Sequence, residues 1–210
     1  MKLLELFSGS CTVSTEAKKR GCDVRNLDII GDPTYKEDIL KWDYKEALKD
    51  WKPDIIWASP PCDSFSFAQN LNIGRGFPPD IEKGRRLMLK TIEIVDWALE
   101  QNPNLLFIIE NSLGRMRNQP EIQKYKRQTL SQCHYGRPYR KNTDLWNNIP
   151  NLQLKRCKKD CPSIVNGKHP NVCLNGRTIR ETLQPTAGKR ESIQSIPTPL
   201  ISSILDQVGL

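Results

Sequence analysis

Asp54–Ser66 reads DIIWASPPCDSFS, a short apolar run that ends on a double proline with a cysteine at the bend and hydroxyl side chains after it. Ile55, Ile56, Trp57 and Ala58 are too few for a helix and are bounded by breakers on both sides, the pattern of a buried strand. Pro60 and Pro61 cannot continue a central strand, and they keep the residues before them extended. Cys62 is therefore expected at the carboxyl end of a strand, where open α/β sheets hold their ligands.

The flanking sequence extends that sheet. Residues 2–7 (KLLELF) form a first strand that runs into Ser8-Gly9, residues 12–20 a polar-faced helix stopped by Gly21, and residues 23–29 a second strand that delivers Asp28. Strand, glycine turn, helix, strand and acid make a nucleotide-binding βαβ unit. Only Gly9 sits in the turn, and Cys11 stands where a second glycine would fall. Residues 36–50 place Asp38 on a turn before a helix. Residues 70–80 read as a glycine- and proline-rich loop over the site. Residues 82–100 form a long amphipathic helix, and 105–109 (LLFII) a second buried strand that delivers Glu110-Asn111. Residues 116–128 are polar with helical potential, and 129–149 hold short strands. The tail, 192–208, is a proline-started helix that docks through Leu200, Ile204 and Leu205.

The 210 residues suffice for one α/β domain with a small appendage. Their formal charge of +8 is concentrated, because residues 137–190 hold twelve Lys/Arg against three Asp/Glu. A basic segment beside a near-neutral body fits a polyanion-binding surface or a solvated basic face. Seven irregularly spaced cysteines with no secretory leader point to a reducing compartment rather than a disulfide framework. No stretch approaches the roughly 18 apolar residues of a membrane span.

Adjacent parallel strands would set Cys62 beside Glu110. The residues alone leave Cys62 equally a thiolate nucleophile or a buried small apolar side chain. LELFSG (4–9), ASPPCDSFS (58–66), IEN (109–111) and CHYGRPYRK (133–141) occur in an order that resembles the cytosine-C5 DNA methyltransferase family, in particular its short phage and microbial members. The likeness runs over residues 3–149 and resumes with RESIQSIPTPL (190–200).

That resemblance implies a Rossmann-like class I methyltransferase α/β sheet with a small irregular basic C-terminal insertion. The catalytic core would span 1–149, a DNA-contacting segment 150–190, and a helix packing back on the core 191–210. Cys62 would add to C6 of a flipped-out cytosine while Glu110 grips N3 and the exocyclic amine. S-adenosylmethionine would lie along Phe7, Ser8, Gly9 and Pro60, with Asp28 at the ribose beside Ile29, and Asp38 with Ile39 at the adenine. Two departures qualify this. The family carries two arginines, two apart, after its tyrosine-glycine-proline stretch, where this chain has Lys141 and Thr143, with Arg140 adjacent; Arg140 and Lys141 are the candidates to hold the base. The large target-recognition domain of the family is also missing.

Cys157, Cys161, His169 and Cys173 offer four soft ligands for a structural zinc, although their spacings match no standard knuckle. The other reading is an unmetallated basic loop whose lysines and arginines meet phosphates. Three alternatives to DNA C5 methylation stay open here: a methyltransferase-like nucleic-acid-binding protein without catalysis, transfer to RNA, and transfer of a modified group. The resemblance implies DNA as partner, no membrane, and a microbial or host-cell cytoplasm.

Overall fold

The computed structural model describes residues 1–67, 78–169 and 195–210. Seven strands form one sheet in the order β3-β2-β1-β4-β5-β7-β6: β1 (Lys2–Leu6), β2 (Asp23–Asp28), β3 (Tyr35–Lys36), β4 (Ile55–Ala58), β5 (Leu106–Ser112), β6 (Arg127–Ser131) and β7 (Asn142–Asn147). The first five are mutually parallel, whereas β7 runs antiparallel to both β5 and β6. This is the expected Rossmann-like class I methyltransferase sheet. The chain order reverses between β1 and β4, the switch point at which open α/β sheets open a crevice.

Strand period explains the layers. Leu4, Leu6, Ile56, Ala58, Phe107 and Ile109 face one core with the helices α2 (Tyr44–Leu48) and α3 (Ile81–Gln101). The alternate residues Leu3, Ile55, Trp57 and Ile108 face the other core with α1 (Thr12–Lys19) and α4 (Thr198–Gln207). Both faces of β4 are covered, which is why its four residues are all apolar. Helix α4 buries Leu200, Ile201, Ile204 and Leu205. At about 1.5–3 kcal/mol for each side chain, that packing outweighs the exposed Arg20–Asp206 pair, worth about 0–1 kcal/mol.

Three expectations need correction. The helix expected within 36–50 shrinks to Tyr44–Leu48, because Ile39 and Trp42 are drawn into the core as a turn and Asp43 caps the helix only there, accepting the Glu46 N–H. Residues 116–128 hold two 3-10 turns, Arg115–Asn118 and Pro120–Lys124, and then the start of β6. The strand expected at 105–109 continues to Ser112, since antiparallel β7 supplies pairing beyond the parallel part of the sheet. Most of the 70–80 loop, along with Cys173 and residues 190–194 of the later resemblance, lies outside the described residues. No helix among the described residues is long and apolar enough to cross a membrane.

Candidate active site

Strand register brings the site together. Ala58 pairs with Leu6 on one side and Ile109 on the other, so the three chains leave the sheet at one level. Phe7-Ser8-Gly9 continues from β1 and Pro60-Pro61-Cys62 from β4, while Glu110 follows Ile109 on β5. Leu27 pairs with Leu6, which places Asp28 at the same edge.

The cysteine turn is held from several directions. Phe65 and Ser66 N–H both donate to Cys62 O, at 3.1 and 2.8 Å, closing the turn after the prolines. Asn111 Nδ2 donates to Pro60 O at 2.8 Å, and Trp57 Nε1 to Ser59 Oγ at 3.2 Å. Two glycines let neighbouring elements approach: a Cβ on Gly84 of α3 would lie 2.4 Å from Ser64 Cβ, and one on Gly114 would lie 2.3 Å from Phe65 O. Arg115 N–H donates to that same carbonyl at 2.7 Å. Because the obstacle at Gly114 is backbone, Gly114→Ala should cost about 1–3 kcal/mol of stability. It should also slow turnover beyond what the lost folded fraction explains, as a urea titration beside a rate assay would reveal; unchanged stability would contradict this packing.

Electrostatics divides the roles. Burial pushes the Cys62 thiol above its ordinary value; the Lys141 ammonium pulls it back, the Glu110 carboxylate pushes it up, and a hydrogen bond with Ser112 lowers it. Glu110 is 8 % exposed, and its carboxyl is likewise raised by burial, lowered by Lys141 and raised by Asp144. One cation therefore acts on both groups. Of the two candidates to hold the base, Lys141 is the one whose charge acts on this pair, while Arg140 is exposed with Nε 3.4 Å from Asn142 Oδ1. Thr143 is fully buried in β7 and accepts from Gln132 Nε2 at 2.9 Å.

Ser112 and Asp144 escape the sequence reading. Asp144 is completely buried and satisfied by Arg117, whose Nε reaches Oδ2 at 2.9 Å, and by Thr129 Oγ1 at 2.6 Å from Oδ1. Its nearness to Glu110 follows from the β5–β7 register, Asn111 against Asp144, which no local spacing announces.

At the other side of the crevice, Phe7, Gly9 and Cys11 all take positive φ. Asp28 Oδ2 accepts the Gly9 N–H at 2.7 Å and its Oδ1 the Ile30 N–H at 3.0 Å, so this acid ties the first turn to the end of β2. Ser8 Oγ is buried with no hydrogen-bond partner among the described residues, and the space beside Gly9 is open. An orphaned hydroxyl, an open glycine and an acid fit a nucleoside-bearing cofactor. Ile29 is exposed at the rim, Ile39 is buried in the core, and Asp38 Oδ1 accepts the Leu40 N–H at 3.0 Å.

Beneath this turn, Glu5 accepts from Ser14 N at 2.8 Å and from Ser14 Oγ. Burial raises its carboxyl from 4.5 to about 7, against the lowering by the Ser14 hydrogen bonds. Between those values the folded protein holds a proton that the unfolded chain has released. The contribution to stability is full below about pH 4.5 and lost as pH rises through about 7, on the order of 3 kcal/mol. Glu5→Gln should flatten that fall in urea titrations between about pH 5 and pH 8; an identical slope in both proteins would refute it.

Cys157, Cys161 and His169 lie together, and Cys133 joins them in place of the expected Cys173, which lies outside the described residues.

The sheet order, with β7 antiparallel between β5 and β6, is that of a Rossmann-like class I methyltransferase fold. No protein-family model matches the chain. It is 35% identical over 176 residues, 78% of this chain and 79% of the other, to a protein of Frog virus 3 (isolate Goorha) named as a probable DNA (cytosine-5)-methyltransferase. The chain belongs to the cytosine-C5 DNA methyltransferase family, whose members depend on S-adenosylmethionine. Among solved structures it is similar to S. pombe Dnmt2 (17% identity, TM-score 0.49) and to a variant of Spodoptera frugiperda DNMT2 (22% identity, TM-score 0.45). These likenesses cover 73% and 75% of this chain, which spans about half of each DNMT2 chain, 51% and 53%.

Proposed function

We propose that this protein methylates C5 of a flipped-out cytosine in DNA through a covalent bond between Cys62 Sγ and C6 of the base. One observation carries the proposal: adjacent strand ends set Cys62 and Glu110 at one level of the sheet, with the Lys141 charge acting on both. S-adenosylmethionine, held by the Phe7–Gly9 turn, Asp28 and Pro60, supplies an electrophilic methyl group when bound.

The chain's own residues do the rest. Cytosine carbon is a poor acceptor until a nucleophile breaks the ring's conjugation. The Cys62 thiolate forms the S–C6 bond, and the C5–C6 π pair moves to C5. Glu110 hydrogen-bonds the exocyclic amine and places its proton at N3, absorbing the charge that develops there. After C5 is methylated, loss of its proton to solvent returns the pair to the C5–C6 bond and expels Cys62 as thiolate, and N3 gives its proton back to the Glu110 carboxylate. A stacked base hides C6, so the nucleotide must leave the duplex.

The overlap, 78% of this chain and 79% of the viral relative, supports a short enzyme of this family. We divide the chain into a catalytic core (1–149), a basic DNA-contacting segment (150–190) and a C-terminal helix (191–210). The test is trapping on DNA that carries 5-fluorocytosine, in which fluorine blocks the last proton loss. A cofactor-dependent adduct surviving denaturation and mapping to Cys62 is expected. DNA that binds the protein yet yields no adduct, in duplex and single-stranded form, would overturn the covalent route.

A further inference from the structure

The strongest unassigned feature joins the turn after β6 to the segment that follows β7. Sγ of Cys133, Cys157 and Cys161 and a ring nitrogen of His169 all lie within 4.8 Å of one another. The three thiols are free and buried, at 1 %, 4 % and 5 % exposure. Among the described residues, the partly buried apolar side chain packed against this small cluster is Ile164. Burying three thiols and an imidazole together, apart from the main cores, has no packing rationale. A tetrahedral zinc with ligands at about 2.3 Å (S) and 2.0–2.1 Å (N) spaces sulfur and nitrogen about 3.5 Å apart. His169 Nε2 lies 3.2 Å from Cys161 Sγ and 3.7 Å from Cys157 Sγ.

The backbone is shaped to deliver these atoms. Cys133 sits in the 3-10 turn Gln132–Tyr135 directly after β6. Lys159 takes a φ of 71°, and its N–H donates to Cys157 Sγ at 3.3 Å, a bond that orients and stabilises a thiolate ligand. Val165 and Lys168 exchange backbone hydrogen bonds around Asn166-Gly167, both at positive φ, and this tight turn brings His169 back over Cys161. Ser131 N–H donates to Lys155 O, Ser131 Oγ accepts the Cys157 N–H at 3.1 Å, and Ser163 Oγ donates to Arg137 O at 2.7 Å, tacking the segment to the end of β6. Lys155, Arg156, Lys158, Lys159 and Lys168 flank the ligands in sequence, beside a site that would carry one net negative charge with zinc and three thiolates.

We propose that Cys133, Cys157, Cys161 and His169 bind a structural zinc ion that fastens residues 155–169 to the end of β6. Three thiolates and one imidazole in a closed tetrahedron suit zinc and leave no open position for catalysis. The strip of lysines and the arginine is thereby fixed beside the stretch that runs from Tyr135 to Lys141. The ligand set takes Cys133 from 24 residues upstream of Cys157 and leaves out Cys173.

Metal content decides the matter independently of methyl transfer. Full-length protein purified under reducing conditions with zinc in the medium should hold one equivalent. Cys133→Ser should weaken zinc binding by at least about 100-fold, and Cys173→Ser should leave it unchanged. Wild-type protein without zinc, full retention in Cys133→Ser, or loss in Cys173→Ser would each overturn the assignment. Should Cys133→Ser fail to fold, cobalt(II) in the wild type and in Cys173→Ser gives the same answer. Tetrahedral ligand-field bands with charge transfer from three thiolates, identical in the two proteins, are expected. An octahedral spectrum, or one that changes in Cys173→Ser, would refute the site.

Discussion

Cys62→Ala lowers methyl transfer by at least about 10⁴-fold, the scale on which removing an enzymatic nucleophile acts, while DNA binding stays near that of the wild type. The asymmetry follows from where Cys62 stands. In the proposed mechanism Cys62 meets the base only at the reacting carbon, whereas the phosphate contacts that would hold DNA come from the Lys/Arg side chains of residues 137–169. The thiol is also disfavoured as an anion by its burial, and the Lys141 charge and the Ser112 hydrogen bond are what bring it back toward ionisation. Cys62→Ser tests that point, since a hydroxyl in the same place is far harder to ionise and should be nearly as inactive as alanine. Single-turnover transfer to a labelled duplex, with binding measured by anisotropy, separates the two effects. Transfer surviving in the alanine variant would remove the covalent mechanism.

The sheet was legible because its strands are short apolar runs bounded by breakers, and βαβ order leaves few ways to assemble them. Leu3–Leu6, Ile55–Ala58 and Leu106–Ile109 could be placed from pattern alone, and with them the levels at which Phe7, Cys62 and Glu110 emerge. What the pattern hid depends on contacts between distant segments. Ser112 and Asp144 enter the site only because β7 runs antiparallel beside β5, and Gly84 and Gly114 matter only once α3 and the chain after β5 are pressed against Phe65. Cys133 was hidden in the same way. In sequence it belongs to the tyrosine-glycine stretch, and the strand β7 that separates it from Cys157 brings the two thiols back together. Residues 36–50 misled for another reason, since their helical composition yields to the burial of Ile39 and Trp42.

Glu110→Gln should lower kcat/KM by about 10²–10⁴-fold, the range of a lost general acid, and it should also change the shape of the pH profile. The Glu110 carboxylate pushes the Cys62 thiol up, so the protonation of one group bears on the other. With both protons on, no thiolate is available; with both off, nothing can be given to N3. The productive form carries a single proton, on Glu110, and wild-type kcat/KM should therefore rise and then fall as pH increases. Burial places the carboxyl above its ordinary range and so favours that form, while Lys141 allows the neighbouring thiolate to exist. Glutamine keeps the size and can still hydrogen-bond the base, but it has no proton to lose. The variant's rate should rise with pH to the ionisation of Cys62 and show no alkaline decline, and the thiol, relieved of a neighbouring carboxylate, should ionise at lower pH than in the wild type. A retained alkaline decline would assign the lost proton to another group, and an unchanged rate at every pH would remove Glu110 from the chemistry.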